Sequence, residues 1–293
     1  MRFLKRFLKW FSIIFALAFT GVVIFVHTIN FSPDEEVIQS AFSSVEFTPE
    51  FNSFVHEGRD MHYVAIGDTS KPAVLFVHGS PGAWDNFLGF LSNESLLANF
   101  RLIAVDRPGF GKSGDGIPER SLVKQAADIN QVLIRENTSA ILVGHSYGGP
   151  VIVRMAIDAP ELAEGLIIVA GSVDPKLEKT KWYQVPVHYK ILSWILPGML
   201  YSTNEEIIAL KAELEDMEPL WDKITQPVSV IQGGLDNLVP KENADFAEKK
   251  LINAPVTMIE VDEMNHFVPW SNPDLIRNEL NRFLNLRTYE EGQ

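Results

Sequence analysis

The sequence predicts an α/β fold in which a mostly parallel central sheet is flanked by helices. Three observations carry that prediction. Short apolar runs alternate along the chain with segments of helical period, the pattern of repeated strand–helix units. Runs such as AVLFV at residues 73–77 and AILV at 140–143 are apolar throughout rather than at every second position. Strands of that kind bury both faces, as in parallel sheets covered by helices. The alternation then breaks once, between residues 172 and 226, which predicts a helical insertion.

The chain opens on MRFLKRFLK, which carries Arg2, Lys5, Arg6 and Lys9 and no acid, and residues 10–26 (WFSIIFALAFTGVVIFV) then hold no charge. A membrane-spanning helix needs about 17–25 apolar residues, and this run suffices when Arg6 and Lys9 snorkel to the interface. A cleaved signal peptide has a shorter apolar stretch, roughly 7–15 residues, and a small-x-small cleavage site. Here the run leaves through Val26-His27-Thr28-Ile29-Asn30, and Ala16-Leu17-Ala18 lies inside it. Residues 1–30 are therefore expected to be a basic N-terminus and transmembrane signal-anchor, with secretion after cleavage as the alternative. The positive-inside rule keeps the N-terminus cytoplasmic and the remainder extracytoplasmic, periplasmic in a bacterium.

Residues 31–58 read as a connecting arm with a first strand near 44–47. Strands are expected at 61–66, 73–77, 102–105, 140–143, 166–169, 228–231 and 256–261, and helices at 83–100, 119–136, 147–159, 241–251 and 273–286. The last helix has Asn272 as its cap and Pro273 at its first position, where a missing N–H costs nothing. These elements make one core from residues 59–171 and 227–293. The insertion, 172–226, is rich in Trp, Tyr, Leu, Ile and Pro and has its strongest helix at 204–216. An insertion of this size usually covers the edge where strands end, so it reads as a lid, or else as a helical embellishment without contact to substrate.

Composition narrows the function. The 293 residues carry 25 Lys+Arg against 38 Asp+Glu, a net charge of −13, which argues against a nucleic-acid partner. The absence of Cys removes disulfides, thiolate catalysis and thiolate zinc sites. Four of the basic residues lie in the first nine, leaving 21 basic against 38 acidic residues in the rest. That acidic remainder is repelled by anionic lipid, so attachment falls to the apolar run.

The sharpest chemical signal is Gly144-His145-Ser146-Tyr147-Gly148-Gly149, set between an apolar strand and a helical stretch. G-x-S-x-G in that setting is a nucleophile elbow, where glycines permit a turn sharp enough to push the Ser out above the sheet. The following helix aims its N-terminal amides at the same point. A Ser hydroxyl is a weak nucleophile until an oriented base removes its proton. A base and an orienter are present downstream, each after a strand: Asp236 in Gly233-Gly234-Leu235-Asp236-Asn237, and His266 in Asn265-His266-Phe267.

Together these segments resemble the α/β-hydrolase fold superfamily, in its serine hydrolase branch, over residues 45–287. His78-Gly79-Ser80-Pro81-Gly82 is similar to that family's HGxPG oxyanion loop, and Asp106-Arg107-Pro108-Gly109-Phe110-Gly111-Lys112-Ser113 to its D-x-x-G-x-G-x-S turn. The resemblance implies Ser146 as nucleophile, His266 as general base and then acid, and Asp236 as the orienter of the imidazole. It also implies an oxyanion hole made by the backbone amides of Ser80 and Tyr147. Asp174 competes with Asp236, since some members place the acid there. His78 and His145 read as loop-holding residues, Asp106 as a turn-stabilising carboxylate.

Gly109 to Gly114 satisfies G-x-G-x-x-G but opens no helix for a pyrophosphate, and Gly111-Lys112-Ser113 lacks the first Gly of a Walker loop. No metal-ligand spacing appears, so neither metal nor cofactor is expected. Ser at position 146 matters for the reaction. Relatives acting on epoxides or haloalkanes carry Asp there, whereas Ser forms an acyl-enzyme and favours a small-molecule ester, thioester or activated amide. Trp182, Tyr183 and Trp194, with Leu196, Met199, Leu200 and Tyr201, are expected to line an apolar substrate pocket under the lid. Three alternatives stay open. One is a proline-iminopeptidase-like amide hydrolase, although Glu205, Glu206, Glu213 and Glu215 of the insertion have no assignable amine-binding role. The second is a carbon–carbon bond hydrolase, and the third a non-catalytic ligand-binding homologue.

Overall fold

The computed structural model describes residues 2–29 and 31–291. The limits drawn above at residues 1, 30 and 293 fall on or beside Met1, Asn30, Gly292 and Gln293, which lie outside the described residues. Eight strands form one sheet: β1 (Glu50–His56), β2 (Arg59–Ile66), β3 (Ala73–Val77), β4 (Arg101–Asp106), β5 (Ala140–His145), β6 (Ala163–Val169), β7 (Val228–Gly233) and β8 (Val256–Val261). Their order is β1-β2-β4-β3-β5-β6-β7-β8. β1 and β2 are antiparallel to their neighbours, and every pairing from β4 to β8 is parallel. β3, β4 and β5 are buried at every residue, which is why their sequences show no alternation.

Helices cover both faces. Leu122–Glu136, Gly148–Asp158 and Glu242–Lys250 pack on one face, through Ala126, Ile129, Leu133, Val151, Met155 and Ala247. Glu35–Ser43 and Pro273–Glu291 pack on the other, through Phe42, Ile276, Leu280 and Phe283. The parallel register brings the C-terminal ends of β3, β5, β6, β7 and β8 to one edge, where Val77 pairs Gly144, Val169 pairs Ile231 and Gly233 pairs Val261. The segments that follow these strands contain Ser80, Ser146, Asp174, Asp236 and His266. Loops at this edge of an α/β sheet are where ligands bind.

Two of the expected elements need correction. Residues 44–47 form no strand: Ser44 caps the Glu35–Ser43 helix, and Val45 and Phe47 pack against the core from a turn, which mimics a two-residue period. The first strand is β1, whose Phe51 and Val55 are exposed, so an edge strand half open to water left no apolar run to read. The segment 83–100 is not one helix. A 3₁₀ turn at Trp84–Phe87 and short helices Leu88–Leu91 and Glu94–Leu97 replace it. Asn93 starts the last of these by accepting from the Leu96 amide at 3.0 Å, a competition that Asn and Ser impose on helix interiors.

The insertion has no strand among the described residues. It runs through Gln184–His188, a 3₁₀ segment Lys190–Ile195, and a helix Gly198–Met217 that starts before the expected residue 204. At the other end of the chain, Arg2–Thr28 is one helix with Phe3, Ile14 and Phe25 exposed. Its stretch Phe3–Thr28 has 26 residues and is long and apolar enough for a membrane anchor or a signal sequence.

Candidate active site

The turn after β5 is tight because two glycines let backbones touch. A Cβ on Gly144 would lie 2.3 Å from the Gly148 carbonyl oxygen, and one on Gly148 would lie 2.2 Å from that of Val77. Between them Ser146 takes φ +55°, a left-handed conformation that strains a residue with a side chain. Its amide donates to the Val169 carbonyl at 2.9 Å, and its carbonyl accepts from Gly149 at 2.9 Å and Ser172 at 3.2 Å. The elbow is thus tied to its own helix and to the end of β6.

Asp236 and His266 are brought together from the loops after β7 and β8. His266 Nδ1 lies 2.7 Å from Asp236 Oδ2, and both residues are buried. Asp236 Oδ1 accepts from the Leu238 and Val239 amides at 2.9 and 2.8 Å. Burial acts to raise the Asp236 carboxyl, but the His266 contact and these amides outweigh it and hold it below the usual carboxylate range. With Nδ1–H donating to a carboxylate, Nε2 of His266 is left as the basic nitrogen. Asp174 goes elsewhere. Its amide donates to Asn243 Oδ1 at 2.9 Å and its Oδ1 accepts from the Lys176 amide at 2.8 Å.

His145 links the elbow to this pair. Its Nε2 donates to the His266 carbonyl at 3.0 Å, and the two rings lie 4.8 Å apart. Burial, followed by the nearby His266, lowers its pKa to about 3, so it stays neutral and structural. Asp106 ties its turn together, accepting from the Trp84 and Lys112 amides, each at 2.9 Å, and from His62 Nδ1 at 2.9 Å.

The loop 78–82 lies against Ser146: a Cβ on Gly79 would sit 2.8 Å from Ser146 Cβ. Among the described residues, the Ser80 and Tyr147 amides find no protein acceptor. Trp182, Tyr183 and Trp194 are 83%, 52% and 60% exposed, so as placed they do not form the enclosed lining expected of them. The apolar side chains beside Asp236 and His266 are instead Leu235, Leu238, Phe267 and Trp270, all exposed, with the Trp270 ring 5.4 Å from that of His145. These four carry no motif of their own: Leu235 and Leu238 flank Asp236 in its turn, and Phe267 and Trp270 belong to the short apolar stretch after His266. Sequence reasoning passed over them and over Arg107, buried beneath the 78–80 loop. The turn motif contained this residue, but only its Asp and Gly drew notice. A cavity of about 650 Å³ lined by Pro72, Phe100, Ile141 and Val256 contains none of these residues and opens among the N-terminal strand ends.

A sequence model described as the alpha/beta hydrolase family matches residues 74–279. Epoxide hydrolase 4 of Mus musculus is 31% identical over 115 residues, 38% of this chain and 32% of that protein; the chain thus spans about a third of this relative's length. Among solved structures, a membrane phospholipase A described as a bacterial virulence factor superposes with a TM-score of 0.63 at 20% identity, over 96% of this chain and 98% of that one. The 2-hydroxy-6-oxo-6-phenylhexa-2,4-dienoate hydrolase of Rhodococcus sp. strain RHA1 gives 0.64 at 17% identity, over 82% and 99%. At such identities these two likenesses concern the fold alone.

Proposed function

The chain belongs to the alpha/beta hydrolase family, and on that premise we propose that it hydrolyses carboxylic esters through an acyl-enzyme on Ser146. The observation that carries this reading is the buried 2.7 Å contact of His266 with Asp236, at the same sheet edge as a Ser held at positive φ. Ser146 Oγ attacks the ester carbonyl carbon while His266 Nε2 takes its proton. The imidazolium so formed faces the Asp236 carboxylate. The negative oxygen of the tetrahedral intermediate is received by the Ser80 and Tyr147 amides, and such preorganised donors are each worth about 3–4 kcal/mol. On collapse His266 gives its proton to the departing alcohol. Water then repeats the sequence on the acyl-enzyme, releasing the acid and restoring Ser146.

Ser146 separates this chain from an epoxide mechanism, because ring opening through an alkyl-ester intermediate needs a carboxylate at that position. The insertion's acids weigh against amine recognition. Glu206 is paired with Arg107, Glu205 with Arg120 and His188, and Glu213 accepts from the Leu122 amide. The exposed rim of Leu235, Leu238, Phe267 and Trp270 favours an ester with an apolar acyl or alcohol part. In this reading residues 172–226 form a lid over the strand ends. Residues 1–30 anchor the enzyme, uncleaved, with the hydrolase outside the cytoplasm.

The test is hydrolysis of p-nitrophenyl esters of graded acyl length by the full chain in detergent micelles, together with labelling by a fluorophosphonate. Turnover and labelling that both vanish in Ser146→Ala are expected. No turnover at any length, or turnover undiminished in Ser146→Ala, overturns the esterase reading. Failure of the wild-type chain to label favours a non-catalytic binding protein.

A further inference from the structure

Arg107 is wholly buried just past β4, and a buried guanidinium is costly unless its N–H groups are matched. The matches converge on one loop. Nε donates to the His78 carbonyl at 2.8 Å, and Nη2 donates to the Gly79 carbonyl at 2.9 Å and to Ser80 Oγ at 2.8 Å. The Arg107 amide donates to His78 Nε2 at 2.9 Å, while His78 Nδ1 donates to the Gly79 carbonyl at 2.7 Å. In a trans peptide the N–H points opposite to the preceding C=O, and the Gly79–Ser80 bond is trans. Fixing the Gly79 carbonyl on Arg107 therefore fixes the Ser80 N–H on the far side of the loop. The same guanidinium lies 4.7 Å from the centre of the Tyr147 ring, so it touches both residues whose amides receive the oxyanion.

Glu206 completes the arrangement from 99 residues away. Arg107 Nη1 and Nη2 donate to its two carboxylate oxygens at 2.7 and 2.9 Å, and Nη1 also donates to Gln125 Oε1 at 2.8 Å. Glu206 is 1% exposed and belongs to the Gly198–Met217 helix of the insertion.

We propose that Arg107 is the positioning residue that aims the oxyanion hole and that Glu206 holds it in place, so the inserted helix tunes transition-state stabilisation rather than substrate affinity. This rests on the serine hydrolase reading above. Lysine keeps the charge of Arg107 but offers a point donor that cannot hold two carbonyls and a carboxylate at once.

The experiment measures ester turnover by the full chain in detergent micelles, for wild type, Arg107→Lys, Glu206→Gln and Ser80→Ala. Rates are expressed per site titrated by a fluorophosphonate. That normalisation removes misfolded protein, the only loss that a purely structural role predicts. Arg107→Lys is expected to lower kcat per titrated site by about 10–100-fold, with KM changed by no more than about threefold. Glu206→Gln is expected to follow it less severely, and Ser80→Ala, which removes one acceptor, to show the smallest loss in the same parameter. Wild-type kcat per titrated site in Arg107→Lys and Glu206→Gln overturns the proposal. So does a loss confined to KM. Should Arg107→Lys yield no titratable sites, unchanged kcat in both Glu206→Gln and Ser80→Ala overturns it as well. A wild-type chain with neither turnover nor labelling defeats the underlying reading instead.

Discussion

Asp236→Asn replaces one carboxylate oxygen by NH₂ at a site that uses both. Oδ1 accepts from the Leu238 and Val239 amides, and the amide oxygen of Asn can do the same, which keeps the loop. The NH₂ group then faces His266 Nδ1 at the position where Oδ2 lies 2.7 Å away, and two donors meet. To relieve this, His266 must turn Nδ1 into an acceptor and carry its proton on Nε2, the nitrogen needed as base. The charge is lost as well. A carboxylate about 4 Å from an imidazolium contributes about 4 kcal/mol at an effective dielectric constant of about 20. At about 1.4 kcal/mol per decade that is close to a thousandfold, and the wrong tautomer extends it toward about 10⁴. The assay is initial-rate hydrolysis of a p-nitrophenyl ester, with kcat and KM determined alongside a thermal melt. The expected result is a fall in kcat of about 10³–10⁴ with KM little altered and the melt near wild type. Asp174→Asn should leave kcat within about threefold of wild type, since Asp174 engages Lys176 and Asn243. A loss below tenfold in Asp236→Asn, or an equal loss in Asp174→Asn, refutes the reasoning.

His145 predicts a pH dependence of stability. Its folded pKa is about 3 against an ordinary 6.5, so the unfolded chain binds the proton more readily. Its contribution is complete above pH 6.5 and drains away as pH falls toward 3, at up to about 1.4 kcal/mol per pH unit. Chemical denaturation at stepped pH should show a shallower acid slope in His145→Asn, and an identical slope counts against a neutral buried ring. For the N-terminal helix, fractionation of membranes holding the full chain should leave it bound through washes in concentrated salt and alkaline carbonate. Release by salt alone would mean a charge-based attachment, contrary to an apolar anchor.

The legible parts of this fold were the ones fixed by short-range chemistry. β3 and β8 are legible to the residue because turn residues bound each apolar run sharply, although β3 is buried throughout and β8 only in part. β1 is not, since Phe51 and Val55 on an edge strand face outward and its pairing with β2 supplies what periodicity lacks. Ser146, Asp236 and His266 stood out because each sits in a glycine-rich or polar turn directly after a strand. What brings Asp236, rather than Asp174, to His266 is the position of β7 between β6 and β8, which no local pattern records. Trp182, Tyr183 and Trp194 were singled out for apolar character alone, and composition cannot say which way a side chain turns.

The Arg107–Glu206 pair also bears on what the insertion can do. Arg107 is held by the core at His78, Gly79 and Gln125, and Glu206 by the inserted helix. Lifting that helix as a rigid flap would carry Glu206 away and leave the buried Arg107 charge without its carboxylate, a penalty of about 3–5 kcal/mol. The helix also buries Leu210, Leu214 and Met217 in the core, so its seat is both ionic and apolar. Residues 175–197 are held more lightly among the described residues: His188 pairs with Glu205 and the Gln184 carbonyl accepts from Asn204, whereas Trp182, Tyr183, Val185, Tyr189 and Trp194 are exposed. Any opening of the insertion is therefore expected in this outer stretch. The Gly198–Met217 helix stays with the core, its Glu206 bound to the Arg107 that holds the 78–80 loop.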